Sequence, residues 1–416
     1  MLRPILIANL LFISILVNAQ TAVTLDQCEQ KFIQKNLNLL AAQYNLDATK
    51  ALVVQAKIWD NPYLSTELNA SNPQNGKYFD IGNSGQKAAA IQQLILLGGK
   101  RKNQIEIAKT NQALAELDLQ DLLRNLKFAL RQSYYTLYFN NEKIETINIQ
   151  INNLDTLVKA YGVQSNKGNV PIKDYLRLQS LLLDLKNDKM ELVKDNIEQQ
   201  SSLHVLLSDS NDIKPVLSKD YLSKFMHTNQ IRLADLEQMA LIERPDFNKN
   251  IQTVRATELN VKLQKANRVP DVTVGSSWDQ HGGAFNNQVN LTLGLPLPLW
   301  NRNQGNIKYA SSMYEQSKVN QQSESVQLQS EVIANYKKWV EAKNNFAQIS
   351  LTNFDSYQTV YQSIVDNFKK GNISILEFTD FLESYNQMRS HYNTLTKNMV
   401  LTAEALNTVV NKELFK

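Results

Sequence analysis

The chain has 416 residues, of which 43% are apolar, and 44 Lys and Arg stand against 40 Asp and Glu. This length allows two or more domains, and the composition is that of a folded protein rather than a disordered one. The net charge of +4 is small and the lysines are interspersed with acidic residues, so nothing favours a nucleic-acid partner. The single cysteine, Cys28, excludes an internal disulfide.

The first 19 residues resemble a cleavable signal peptide. Arg3 precedes an apolar run from Ile5 to Val17, and Ala19 stands where signal peptidase requires a small residue, before Gln20. This run is too short for a spanning helix, and no later segment has 18 consecutive apolar residues. The sequence therefore predicts an exported protein. Cys28 follows at a distance from this site, and we expect it to be a buried helix residue rather than a lipid anchor.

The remaining chain divides into segments that follow one plan twice. The first repeat consists of helices (20–61), two strands with an outer loop (62–97) and a helical hairpin (98–208) with its tip at 162–171. An inter-repeat segment (209–231) follows. The second repeat consists of helices (232–269), two strands with an outer loop (270–299) and a second hairpin with the C-terminal segment (300–416), with its tip at 370–374.

Glycine and proline are absent from the arms of both hairpins. None occurs between Gly99 and Gly162 or between Gly305 and Gly371, and about 62 helical residues extend roughly 90 Å. Apolar residues in these arms alternate at steps of three and four, which is the repeat of left-handed helix packing. The spacing is seen in Leu119, Leu123, Leu126, Leu130 and Leu137, in Phe354, Tyr357, Tyr361, Ile364 and Phe368, and in Tyr385, Met388, Tyr392, Leu395 and Met399. A soluble helical bundle would have the same spacing of apolar residues, so this spacing does not distinguish between the two kinds of fold.

The two halves share short sequence motifs in the same order, which indicates an internal repeat. "NPYLSTELNAS" from Asn61 is similar to "VPDVTVGSSWD" from Val269, and "KGNVPIKDYLRLQ" from Lys167 is similar to "KGNISILEFTDFL" from Lys370. The long arms of the two hairpins are nearly equal in length, which is expected if both tips end at the same level of one assembly.

The strands are predicted at 62–70, 88–97, 270–279 and 288–298, each long enough to cross a bilayer when tilted. The last strand alternates leucines with polar residues and then reaches Pro296 and Pro298. Proline has no backbone N–H to donate to a neighbouring strand, so the strand is expected to end there. Gly305 is expected to give the bend into the helix that follows. Trp59 precedes the first strand, Trp300 follows the last and Trp278 lies near the other end of the strands, and the three are expected to form membrane-interface girdles. The alternative is two tryptophans buried in a core and one on the surface.

Four strands leave open edges, which lipid does not tolerate. Three copies give twelve strands and close the sheet into a barrel. The predicted fold is therefore mainly helical, with a trimeric transmembrane β-barrel continued by a periplasmic α-helical barrel. The alternative is an exported coiled-coil structural or adhesion protein whose strands form a soluble cap.

The doubled motifs "LGGKRKNQIEIA" with "PLPLWNRNQGNI", and the two "KGN" turns, resemble the TolC family of outer-membrane efflux channels, most closely its heavy-metal efflux branch of the CzcC and CusC type. The resemblance covers nearly all of the chain after the signal peptide. It implies a homotrimeric channel-tunnel with an equatorial collar in the outer membrane, which docks to a periplasmic adaptor and an inner-membrane pump of the RND type. It implies passive export of metal cations or small toxic compounds, with a type I protein-secretion outlet as the alternative.

The resemblance also places functional residues at the hairpin tips. The adaptor-contact candidates are Gly168, Asn169, Val170, Gly371, Asn372 and Ile373. The acidic residues Glu377, Asp380 and Asp174 follow the tips and are expected to form charged rings at the pore entrance. A solvated helix face is the alternative for these acids. The four histidines are scattered, so the sequence predicts no metal site, no cofactor and no enzyme activity.

Overall fold

A computed structural model describes residues 21–218, 221–226, 231–282, 284–350 and 354–415. The predicted signal peptide lies outside these residues. The helices are α1 (Leu25–Lys35), α2 (Leu37–Ala56), α3 (Lys100–Asn166), α4 (Ile172–Leu207), α5 (Ser223–Met226), α6 (Leu233–Glu243), α7 (Pro245–Ala266), α8 (Gln304–Ser350), α9 (Phe354–Lys369) and α10 (Ile375–Val410). The strands are β1 (Thr21–Val23), β2 (Tyr63–Leu68), β3 (Gln86–Ile95), β4 (Ile213–Pro215), β5 (Val272–His281) and β6 (Phe285–Gly294).

Local sequence sets the helix boundaries. The Thr24 hydroxyl and the Gln27 side chain form a capping box at the start of α1. Asn36 ends α1 and also caps α2, where its side chain accepts a hydrogen bond from the backbone N–H of Leu39 at 3.0 Å. The 67 residues of α3 contain no glycine except Gly162 and no proline. At 1.5 Å per residue this helix is about 100 Å long.

β2, β3, β5 and β6 form one antiparallel sheet in that order. Residues that pair directly across strands lie on the same face. One face carries Leu64, Ile91, Ser276 and Leu291 in register, and the other carries Tyr63, Gln92, Gly275 and Thr292. Leu291 is 88% exposed. The predicted division into an apolar face and a polar face is therefore present, and the apolar face has no covering element among the described residues.

The predicted strand ends were wrong by two to four residues in most cases. β2 has only six residues instead of the expected 62–70, because the chain turns after Leu68 into a short bridge between Ser71 and Tyr78. β6 covers 285–294 instead of 288–298, because its partner β5 pairs only as far as Thr273 opposite Gly294. The strands expected at 88–97 and 270–279 cover 86–95 and 272–281.

The turn after β6 depends on an asparagine rather than on Gly305. Asn303 adopts φ +59°, in the left-handed region that asparagine tolerates better than most residues. Gly305 lies inside α8, where its φ is not positive. The Asn303 amide donates to the backbone carbonyl of Gln264 at 2.8 Å, so the turn is tied to the end of α7.

The helices continue the order of the strands. α2 packs against α3, α3 against α7, and α7 against α8. Farther from the sheet, α4 packs against α3, and α10 packs against both α3 and α8. α2 and β2 thus lie at one side of the chain, and α8 and β6 lie at the other. Residues 351–353, between α8 and α9, are not among the described residues.

Buried side chains form two clusters along this length. The larger one, named the equatorial core, includes Tyr134, Tyr135, Phe225 and Leu406, and a parallel pairing of β1 with β4 lies beside it. Cys28 belongs to this core and is fully buried, which confirms its predicted position, and burial raises its pKa to about 11. The smaller one, the tip core, joins α3, α4, α9 and α10 near the hairpin ends. No helix in the described residues is long and apolar enough to cross a membrane.

Candidate functional site

The two hairpin tips have the same backbone geometry. In the first tip Gly168 has φ +76°, its N–H donates to the Ser165 carbonyl at 2.9 Å, and the Asn169 N–H donates to the Gln164 carbonyl at 2.9 Å. Such paired bonds across a left-handed glycine satisfy the last carbonyls of a helix. The Asn169 side chain adds a bond of 2.7 Å to the Gln164 side chain.

The second tip repeats each of these contacts. Gly371 has φ +78°, its N–H donates to the Phe368 carbonyl at 3.0 Å, and the Asn372 N–H donates to the Asn367 carbonyl at 2.9 Å. The Asn372 side chain donates to the Asn367 side chain at 3.0 Å. A Cβ at either glycine would meet no atom within 4 Å, so the positive φ, and not crowding, is the reason for glycine at both positions. Both tips present the same backbone turn to solvent.

The returning helices start differently. Pro171 precedes α4 and gives no side-chain cap. Ser374 caps α10, and the Glu377 carboxylate accepts bonds from the Ser374 N–H at 2.8 Å and from its hydroxyl at 2.9 Å. These bonds from the backbone and hydroxyl of Ser374 lower the pKa of Glu377. Glu377 is therefore part of a capping box, and it is also an exposed, ionised carboxylate one turn from the tip.

The acidic residues differ between the two tips. Asp380 is exposed and follows Glu377 by one turn, whereas Asp174 in the first hairpin is half-buried. The sequence offset between the tips aligns Asp174 with Glu377 and Arg177 with Asp380. The second tip thus carries two acids where the first carries one acid and one base. Negative charge is concentrated on the second hairpin.

Aromatic stacking holds the two arms of the second hairpin together. The rings of Phe368 and Phe378 are parallel with centroids 4.1 Å apart, and Tyr161 of the first hairpin stacks on Phe368 at 5.7 Å. Ile373 is half-buried against this tip core, so its side chain is only partly accessible. Gly168, Asn169, Gly371 and Asn372 are exposed, and Val170 is half-buried like Ile373.

The three tryptophans predicted to flank the sheet do lie near its two ends. Trp59 precedes β2 and is 59% exposed, and Trp300 follows β6 and is 87% exposed. The guanidinium carbon of Arg101 lies 4.2 Å from the centroid of the Trp59 ring. Trp278 is half-buried at the other end, where its indole N–H donates to the Asn287 side chain at 3.3 Å.

The equatorial core contains a network of buried ion pairs that sequence reasoning missed. Arg131 of α3 contacts Glu29, Glu404 and Glu413, each at 2.6 Å. Burial alone would lower the pKa of its guanidinium, but the three carboxylates raise it overall. These carboxylates are 102 to 282 residues away in sequence. No local spacing could reveal them.

A second buried arginine, in the same region, links helices of the second repeat to one another. Arg244 contacts Asp246 and also Glu331, which lies 2.6 Å away on α8. Among the described residues no group of three His, Cys, Asp or Glu could hold a metal ion. His227 lies outside the described residues. The acids of this region are engaged with arginines, and the arrangement holds helices together.

Comparison with known proteins agrees with this geometry. A family model described as outer membrane efflux protein matches residues 29–208 and 236–412. The chain belongs to the outer membrane efflux protein family. Its two matched segments correspond to the two halves of the internal repeat.

Individual relatives are distant in sequence but similar over nearly the whole chain. The cobalt-zinc-cadmium resistance protein CzcC of Cupriavidus metallidurans is 20% identical over 89% of this chain and 85% of its own. The solved structure of CusC has a TM-score of 0.75, with 16% identity over 93% of this chain and 91% of its own. VceC of Vibrio cholerae has a TM-score of 0.72, with 14% identity over 94% and 96%.

Family membership places the chain in the outer membrane, with its helices in the periplasm, as the exit channel of an efflux system. Efflux channels of this kind work as trimers with periplasmic adaptors and inner-membrane pumps. The open edges of β2 and β6 agree with this assembly, since a closed barrel removes the unpaired edges that lipid does not tolerate. The alternative of a poreless coiled-coil protein was wrong.

Proposed function

We propose that this efflux channel exports metal cations and that the second hairpin makes its periplasmic entrance selective for positive charge. The observation that carries the proposal is the pair of exposed acids, Glu377 and Asp380, which lie one turn and two turns beyond the Gly371 tip. In a trimer the pair makes two rings of three carboxylates each. Such rings attract cations and repel anions in a narrow opening. Asp174 adds a half-buried carboxylate at the matching level of the first hairpin.

The metal cargo is supported by the similarity to CzcC, a cobalt-zinc-cadmium resistance protein, over most of both chains. A shorter match, 23% identity over 177 residues, is to the toxin and drug export protein A of Aggregatibacter actinomycetemcomitans. Protein or drug export is therefore the second candidate. The inner-membrane partner proposed for metal export is a pump of the RND type.

The adaptor is proposed to contact the two turns formed by Gly168, Asn169 and Val170 and by Gly371, Asn372 and Ile373. The side chains of both asparagines are engaged within their own turns. The adaptor would therefore recognise mainly the shape and the exposed backbone of two equivalent turns. A cysteine at Val170 should form crosslinks with the adaptor in whole cells, and a cysteine at the exposed Leu64 of the sheet should form none. Crosslinking at both positions or at neither would contradict this contact.

Neutralising the two acids tests the entrance. The double variant Glu377→Gln, Asp380→Asn should lose cation preference in single-channel recordings, because six negative charges leave each trimer. The control Asp235→Asn, Glu237→Gln removes the same charge from α6 and should leave the currents unchanged. Unchanged selectivity in the tip variant would refute the entrance assignment.

Cargo is tested in cells. Deleting the gene should raise sensitivity to zinc, cobalt or copper salts, and complementation with the wild-type chain should restore resistance. Sensitivity only to drugs, or loss of a secreted protein with normal metal resistance, would favour the second candidate. This outcome is independent of the single-channel result.

A further inference from the structure

Basic side chains without a carboxylate partner are concentrated where the strands meet the helices. They come from the end of α2, the start of α3, the end of α7 and the turn before α8: Lys57, Arg101, Lys102, Lys265, Arg268 and Arg302. Among the described residues, no carboxylate lies within 4.0 Å of any of these cationic groups. The neighbouring Lys100 differs, since it pairs with Asp271 at 2.7 Å. At the other end of the sheet the two basic residues Lys77 and Lys87 are equalled in number by the acidic residues Asp80 and Asp279, so no comparable excess of positive charge occurs there.

This basic band lies next to exposed apolar and aromatic surface. Trp59 and Trp300 are at the same level, and β6 is followed by Leu295, Leu297 and Leu299, which are 49%, 70% and 60% exposed. Cationic groups beside tryptophan and aliphatic side chains match the chemistry of a lipid headgroup layer, with phosphate next to acyl chains. A surface in contact only with water would not favour exposed tryptophans and leucines beside these cationic groups.

The strand order divides the band between neighbouring subunits. Lys57, Trp59 and Arg101 lie by β2, at one edge of the sheet, and the Arg101 guanidinium bonds to the Lys57 carbonyl. Trp300 and Arg302 follow β6, at the opposite edge. When the sheet closes in a trimer, the β6 edge of one copy meets the β2 edge of the next. Arg302 of one subunit then approaches Lys57 and Arg101 of its neighbour.

We propose that each subunit seam binds the phosphate headgroup of an anionic glycerophospholipid from the periplasmic leaflet. Lys57 and Arg101 of one copy and Arg302 of the next supply the positive charge, and Trp59 and Trp300 border the headgroup. The site is incomplete in a single chain. The site uses none of the residues assigned to the entrance or to adaptor contact, so the proposal does not depend on which cargo the channel exports.

Lipid binding to the purified full-length trimer tests the site. Native mass spectrometry would follow titration with phosphatidylglycerol and with phosphatidylcholine of the same acyl chains. The wild type should bind phosphatidylglycerol at least about tenfold more tightly, since each basic group near a lipid surface contributes about fivefold. The variant Lys57→Gln, Arg101→Gln, Arg302→Gln should lose this preference and keep its trimer mass.

Matched controls separate a specific site from general charge attraction. The variant Arg177→Gln, Lys186→Gln, Lys337→Gln removes three charges remote from the sheet and should keep the preference. Equal loss in both variants, or equal binding of the two lipids by the wild type, would overturn the proposal. Stronger binding of lipid A through the same three residues would overturn the assignment to glycerophospholipid. If the triple variant fails to assemble, Arg302→Gln alone should weaken phosphatidylglycerol binding about fivefold.

Discussion

Replacing Arg131 by methionine should strongly destabilise the protein, because it breaks the buried ion-pair network of the equatorial core. Methionine retains much of the apolar stem of the side chain but leaves Glu404 buried, with its side chain only 1% exposed, without its cationic partner. Removing one partner of a buried ion pair typically costs 3–5 kcal/mol, so we expect a loss of about 4 kcal/mol. Glu29 and Glu413 lose the same partner but are more exposed.

Two companion variants sharpen this expectation. Glu404→Gln keeps the shape of the side chain, and Arg131 retains Glu29 and Glu413, so the loss should be only about 1–2 kcal/mol. Arg232→Met removes an arginine from an exposed pair with Asp235, where the side chains are 76% and 50% exposed, and should cost at most about 1 kcal/mol.

Guanidinium unfolding of the detergent-solubilised protein, followed by circular dichroism, measures all three. The expected order of destabilisation is Arg131→Met, then Glu404→Gln, then Arg232→Met. Equal destabilisation by the two arginine variants would refute the reasoning, because it would mean that burial of the network has no energetic effect.

Three further predictions concern the tip and acid stability. Gly371→Ala should destabilise the second tip by about 1–2 kcal/mol, because this position has a positive φ, and hydrogen exchange at the tip should become faster. The control Gly305→Ala, inside α8, should be neutral or stabilising and should leave exchange at the tip unchanged. Ser374→Ala should cost about 1 kcal/mol by removing the cap of α10, seen as faster exchange in its first turn. Acid should destabilise the protein as the pH falls below about 4.5. Burial raises the pKa values of Asp246 and Glu413, but their arginine partners lower these values overall. As the pH falls, the unfolded chain therefore binds protons at these carboxylates before the folded chain does, and the folded state loses stability. An unfolding midpoint independent of pH would contradict this.

The elements that sequence predicted well are those with local signals. The two tips were located because each combines a glycine with an asparagine after a long segment almost without glycine or proline, and both adopt the expected turn. The alternation of Leu291 and Leu293 with polar residues identified the apolar face of β6. These features depend on residues a few positions apart.

Features that depend on distant partners were not predictable. The leucines at 295–299 continue the alternation of β6, but the strand ends at Gly294 because β5 provides no further partner. β1 and β4 have three residues each and pair across nearly 200 positions. The contacts of Arg131 likewise join α1, α3 and the C-terminal region. Such contacts are set by the packed fold and have no short-range sequence pattern.

Conductance in planar lipid bilayers tests the central claim, that copies of this chain close into a continuous duct. The purified trimer should produce discrete, stable current steps that favour cations. Neutralising Glu377 and Asp380 should change the selectivity of those steps without abolishing them. A correctly assembled trimer that inserts into the bilayer but gives no current steps under any applied voltage would contradict the account.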